Sequence, residues 1–419
     1  MKQHTTLVLQ LMVTVILSTF LSNCDKEKAT QTYTWYTPVY KTLPEVRANM
    51  KSSPSRALKH PGKIYIYGNY IFLNEFDEGI HIFDNSQPTA PKNIAFIPVP
   101  GNEDLAVKGN VLFADSYSDL VTFDIRDPKT VTAIKFTENA FPYRNIYYNY
   151  NGTQRPTNPD SVKVTIDWIR HDTTVPYNFR PGGIYYDALQ ANNSAQPGKS
   201  STGQGGSMAR LTLMNDYLYT VSTSELYTFN ISNPGDPKFV KKSEIGNQWI
   251  ETIYPFKNKL FIGSSAGMFI YDVSTPGNPV KQGQFSHARS CDPVIADDNK
   301  AYVTLRSGNT CAGFSNQLDV LDITDVTNPF LIKTYSMTNP FGLGKEGNTL
   351  FICDGKDGVK VYDATNSSDV KLIKKIDGME TYDVIAWNNR ALVVAKDGLY
   401  QFDYSNLNNI HLLSKIGLD

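Results

Sequence analysis

One hexapeptide recurs seven times and constrains the fold more than any other feature of the chain. It first reads Gly79-Ile80-His81-Ile82-Phe83-Asp84, and its copies begin at Asp119, Glu225, Gly267, Gln317, Gly358 and Gly398. The second position is always aliphatic. The fifth is aromatic in six copies, and the last is Asp in six and Asn230 in the other. Apolar side chains on both faces of so short a run indicate a strand covered on both sides. A second apolar run precedes each copy, introduced by a polar pair: Gly68-Asn69, Gly109-Asn110, Asn215-Asp216, Lys257-Asn258, Asp298-Asn299, Gly347-Asn348 and Asn388-Asn389. Such pairs supply the positive φ of tight hairpins. A Pro-bearing turn follows several copies, as at Asp127-Pro128 and Asn278-Pro279, and a further strand such as 92–97 comes after it.

The copies end at intervals of 40 to 50 residues, except for 106 between the second and third. Units of this length with four antiparallel strands read as propeller blades. The expected architecture is all-β: a seven-bladed β-propeller of four-stranded blades over residues 62–419, with one long insertion at about 141–206. The recurrent final Asp is read as an acceptor for backbone N–H groups of the turn behind it. Equivalent acids spread through every repeat do not make a catalytic centre.

At this level the repeats resemble LVIVD-repeat propellers, whose third-strand motif runs into a D-x-S-x-P-like turn. Asp84-Asn85-Ser86-Gln87-Pro88 and Asp272-Val273-Ser274-Thr275-Pro276 carry the resemblance, and the last two repeats lack the Pro. The resemblance implies a bacterial or archaeal surface or envelope protein and no general activity.

The N-terminus supplies an address. Residues 1–23 have a short basic start and an apolar run of signal-peptide size. They end in Leu21-Ser22-Asn23-Cys24, which resembles a bacterial lipobox, with Asn23 where a small residue is usual. Asp25-Lys26-Glu27-Lys28 resembles the export signal of Bacteroidota surface lipoproteins. A lipidated Cys24 is therefore expected, holding the mature chain in the outer membrane and at the cell surface. Acyl chains anchor stably because each buried methylene contributes about 0.8 kcal/mol. Residues 24–61 are read as a tether and an arm that packs on the propeller.

Function is expected where the repeat is broken. The insertion carries Tyr143, Tyr147, Tyr148, Tyr150, Trp168, Tyr177, Tyr185 and Tyr186. Surface aromatics of this kind stack on sugars, grip a protein partner, or pack back as a lid. Residues 161–168 alternate like a strand and suggest a partial hairpin, and 199–206 reads as a flexible hinge. Cys291 and Cys311 bracket an enlarged loop and suit a disulfide, whereas Cys353 reads as a buried free thiol. No Cys/His spacing suits a metal, and no cofactor is implied.

Aligning the innermost strands brings Lys63, Asp104, Arg210, Glu251, Asp292 and Asp383 to the channel mouth, with Phe341 in the sixth repeat. These are the ligand-binding candidates, Arg210 with Asp104 or Asp292 being the best orienting pair. Solvated or mutually paired strand ends around a water-filled channel are the plainer reading. With 40 basic and 41 acidic side chains the protein is no polycation for nucleic acid. Sialidase boxes, quinoprotein Trp repeats, a Gly-x-Ser-x-Gly elbow, HExxH and a P-loop are all missing. The expectation is a monomeric, envelope-anchored binding propeller that recognises a glycan or protein partner. A propeller hydrolase of lactonase or glycosidase type and a purely structural scaffold stay open.

Overall fold

The computed structural model describes residues 30–142, 144, 148–151, 156–176, 204–246, 249–287, 293–307 and 315–418. The expected signal segment, Cys24, Cys291, Asp292 and Cys311 lie outside them, as do Tyr143, Tyr147, Tyr177, Tyr185 and Tyr186. The chain divides into two compact units, one from residues 1–39 with 167–190 and the other from 40–166 with 191–419.

Among the described residues there are eight sheets, all antiparallel, and little helix. Seven of the sheets contain a four-stranded meander in which sequence order is spatial order. They span 61–98, 105–137, 211–244, 250–286, 294–336, 343–376 and 381–417, here sheets one to seven. The hexapeptide is the third strand of each. Its second residue is wholly buried in all seven copies and its fifth residue is buried in all seven. That double burial removes two large side chains per repeat from water, each stabilising by roughly 1.5–3 kcal/mol.

The turns behave as the composition implies. Positive φ falls on Gly68, Gly109, Asn215, Lys257, Gly347 and Asn388, the first residue of the polar pair in six sheets. Sheet five differs, because the Asp297 carboxylate there takes the N–H groups of Asn299 and Lys300. The last residue of every hexapeptide accepts from the backbone N–H two residues on: Asp84 from Ser86, Asp124 from Arg126, Asn230 from Ser232, Asp272 from Ser274, Asp322 from Thr324, Asp363 from Thr365 and Asp403 from Ser405. These acids are turn formers.

A β-bulge sits at the same place in all seven sheets, between the fourth and fifth hexapeptide residues. The fourth strand carries the extra residue, which increases local twist. This outermost strand is also the most exposed, and lysines such as Lys238, Lys241, Lys242, Lys374 and Lys375 line it. Charged edge strands resist pairing with other chains.

Sheets two to seven each meet the following sheet from one register position, opposite the fourth hexapeptide residue, which in sheet one is Ala95. Lys135 pairs with Asp236, and Lys241 Nζ donates to Asn278 Oδ1 at 2.6 Å. Lys333 Nζ donates to Ser368 O, Lys374 Nζ to Ile410 O, and Ser414 Oγ to Pro88 O. In sheet four the position is Gly283, where an added Cβ would lie 2.0 Å from Val326 O. The following sheet approaches too closely there for any side chain. Contacts thus run from each sheet to the next and from the seventh back to the first.

From Thr30 onward the N-terminal segment carries regular structure. Thr30–Thr42 is a strand paired with Lys163–Pro176, which in turn pairs with Tyr148–Asn149. The alternating run of the insertion therefore meets the N-terminal segment as well as its own chain. Helix Leu43–Ala48 follows, with Thr42 and Glu45 closing a capping box that satisfies end N–H groups. Lys51 then bridges to Thr132 and Ser53 to Phe96, on the outer strands of sheets two and one.

Candidate functional site

The strand entrances converge on one face, together with the turns between second and third strands. Gly101, between sheets one and two, accepts from the Tyr117 N–H of a second-to-third turn. Around this mouth the candidate residues join from sheet to sheet. Lys63 Nζ lies 2.9 Å from Asp104 Oδ2, and both side chains are buried. The same carboxylate accepts from the backbone N–H of Arg210 at 2.7 Å, of Leu211 at 3.1 Å and of Leu105 at 2.8 Å. Asp104 thus meets Arg210 through the main chain and ties sheets one, two and three together.

The Arg210 guanidinium reaches Ile250 O at 3.5 Å, at the entrance to sheet four. Glu251 comes next and is buried. Burial raises its carboxyl to about 7 against the opposing pull of Arg210 and Arg306. Arg306 lies 4.0 Å over the Phe341 ring, a cation–π contact. Phe341 meets Tyr382 edge-on at 5.3 Å between centroids. Asp383, buried beside it, accepts from the N–H of Val384. Five of the six charged candidates and Phe341 are therefore placed; Asp292 is the sixth.

Sequence reasoning missed a second acidic group next to this chain of contacts. Arg144, from the start of the insertion, is buried. It pairs with Asp115, lies 3.0 Å from Glu103 and 3.9 Å from Asp77, and donates to Gly101 O at 2.8 Å. Burial raises Asp77 to about 7 and Asp115 to about 6, with Arg144 pulling each the other way. Glu103 behaves oppositely. Burial works against its charge, but Arg144, Arg210 and Lys63 together hold its carboxyl below the usual range. Glu103 adjoins Asp104 in sequence and could have been suspected. Nothing in the chain pointed to Arg144.

The expected flexible hinge at 199–206 requires correction at its end, 204–206, while 199–203 lie outside the described residues. Gln204–Gly205 is a short strand added to the inner edge of sheet one, antiparallel to Tyr65 and Ile66. Gly206, Ser207, Met208 and Ala209 are all buried. Ser207 Oγ accepts from Leu343 N of sheet six, Met208 packs with Phe341, Phe351 and Val384, and Ala209 O accepts from Ile253 N of sheet four. The returning end of the insertion therefore fills space between sheets one, four, six and seven. A chain threaded there meets apolar walls and inward N–H groups, which order it more strongly than its Gly and Ser content suggests.

The insertion's described aromatics divide between packing and exposure. Tyr148 is buried, edge-on to Tyr117 at 6.0 Å, and donates to Ser116 O. Trp168 stays exposed. Cys353 is a buried free thiol whose proton burial holds tightly. No group of three metal-binding side chains occurs among the described residues, and none of their helices is long and apolar enough to cross a membrane.

Comparisons with known proteins agree with this architecture. Residues 60–95 and 307–337 match the LVIVD repeat. The matched segments hold the hexapeptides of sheets one and five. The chain resembles a computationally designed protein, Ika8, at 12% identity over 86% of this chain and 89% of that one, with a TM-score of 0.51. It also resembles a functionally unknown protein from Desulfotomaculum acetoxidans at 12% identity, over 83% and 95% of the two chains, with a TM-score of 0.52. Identities this low speak for the fold alone. No curated protein matches the chain. The protein is an all-β repeat protein of propeller-like architecture, a fold that suits a binding or structural role.

Proposed function

We propose that the protein is a seven-bladed propeller, lipid-anchored in the bacterial envelope through Cys24, that binds a glycan or protein partner on the face carrying the insertion. One observation carries this reading: successive strand entrances on that face bring together Lys63 with Asp104, Arg210 and Arg306 beside Glu251, and Arg306 over Phe341, which meets Tyr382. Rigid strands place polar groups more firmly than loops do. Mixed charge beside aromatic rings suits a partly polar ligand with flat apolar surfaces, such as a sugar or a peptide.

A glycan and peptide array on the anchorless protein tests this, with Arg210→Ala and Arg306→Ala beside it. A second variant replaces 177–200 by a short Gly-Ser link and leaves 204–209 intact. Binding lost in the arginine variants with an unchanged melting temperature supports the mouth. Binding lost only with the insertion moves the site there. Silence from the parent protein across the array removes the recognition reading and favours a scaffold.

A further inference from the structure

The smaller compact unit contains a two-stranded ribbon, residues 30–39 against 167–176, whose two faces differ. Cross-strand contacts fix which side chains share a face. Trp35 stacks on His171 with centroids 4.3 Å apart and 20° between planes, and its Nε1 donates to Thr173 Oγ1 at 3.2 Å. Thr37 Oγ1 lies 2.6 Å from His171 Nε2. Side chains alternate along a strand, so Tyr33, Trp35, Thr37 and Val39 share one face with Ile169, His171 and Thr173. From Tyr33 to Val39 and from Ile169 to Thr173 this face has no carboxylate, lysine or arginine, and Asp167 stands at its end. Trp35 is 39% exposed and Ile169 52%. The opposite face holds Thr34, bonded to Asp172, the Arg170–Asp172 ion pair and Trp168, 38% exposed beside those charges. A two-stranded ribbon alone is marginal in water, and one that leaves Trp and Ile open is short of a covering surface.

We infer that this Trp35–Ile169 face lies on the lipid surface, in the headgroup layer of the membrane. The occupant is chosen by chain length. Cys24 stands six residues before Thr30, a link that spans at most about 20 Å. An acylated Cys24 therefore holds the ribbon within reach of the headgroups, where Trp and Tyr rings settle because they are apolar with one polar edge. Trp35 has that form: a ring that is 39% exposed beside His171, with its N–H bonded to Thr173. The inference rests on the anchored reading of Cys24 for its geometry, but its chemistry belongs to the ribbon.

The test uses the full chain in vesicles of phosphatidylethanolamine and phosphatidylglycerol, with and without bromine on the acyl chains. Tryptophan emission is read for the parent protein and for the single variants Trp35→Phe and Trp168→Phe. The expected result is quenching by brominated lipid that is lost in Trp35→Phe and kept in Trp168→Phe, whose ring belongs to the other face. No quenching in the parent, or equal quenching in all three, overturns the inference and leaves the face to a protein or sugar partner. The mass of the Cys24 peptide is measured on the same sample. Acylation without quenching at Trp35 sinks the ribbon and keeps the anchor. Quenching at Trp35 with an unmodified Cys24 does the reverse.

Discussion

Asn85 and Gln401, 316 residues apart, exchange two side-chain hydrogen bonds: Asn85 Nδ2 donates to Gln401 Oε1 at 3.0 Å, and Gln401 Nε2 to Asn85 Oδ1 at 2.8 Å. The pair joins the turn after the hexapeptide of sheet one to the hexapeptide of sheet seven. Both residues are buried, and Ser414 adds a bond from its own strand to Pro88 O. First and last sheets are thus held by side chains, without exchange of a strand.

Gln401→Leu should destabilise the protein by about 1–3 kcal/mol, since it leaves the buried Asn85 amide without its partner. Urea unfolding reads the loss. Ligand binding at the mouth should be unchanged in the folded fraction. A variant as stable as the parent would show that the closing contact contributes nothing.

Met208→Ala should cost about 2–5 kcal/mol, because Met208 is buried among Phe341, Phe351 and Val384. Hydrogen exchange should quicken at Leu343 and Ile253, whose N–H groups bond to Ser207 and Ala209. If exchange quickens only at Gln204 and Gly205, the segment is a loose filler and not a brace.

The mouth should make stability fall with rising pH. The Glu251 carboxyl stands at about 7 in the folded protein against 4.5 ordinarily, so its neutral form is the one folding favours. Its contribution is full below pH 4.5 and disappears as pH rises through about 7. Glu251→Gln should flatten that slope in melting temperatures taken across this window. Glu75 contributes with the opposite sign. Burial opposes its charge, but bonds from His81, Arg56 and the N–H groups of Lys59 and His60 hold it at about 2, so its share is lost only on acidification below 4.5. An unchanged slope in Glu251→Gln would place the titration elsewhere, with Asp77 and Asp115 next to test.

What could be read from the chain was what repeats. The hexapeptide states a two-sided strand in six residues, and the acid that ends it states a turn, because both effects act within a few residues of the backbone concerned. The mouth was legible only as a set of strand entrances. That Lys63 faces Asp104, or that Arg306 covers Phe341, depends on how adjacent sheets abut, and no local pattern encodes it. The β-bulge shared by all seven sheets was equally silent, since the extra residue is Ile94 in one and Gln282 in another.

The sequence by itself determined the strand order within each repeat, the turns between strands and the place of the insertion. Burial of apolar side chains on both faces of a short strand and the φ demands of Gly and Asn are local constraints. Tertiary structure alone decided how residues 204–209 are used. A Gly- and Ser-rich stretch has too little apolar surface to order itself. It becomes ordered because Leu343 and Ile253 present N–H groups to it and because Met208 joins the buried apolar cluster of Phe341, Phe351 and Val384. These partners come from three different sheets, brought together only when the whole array has formed.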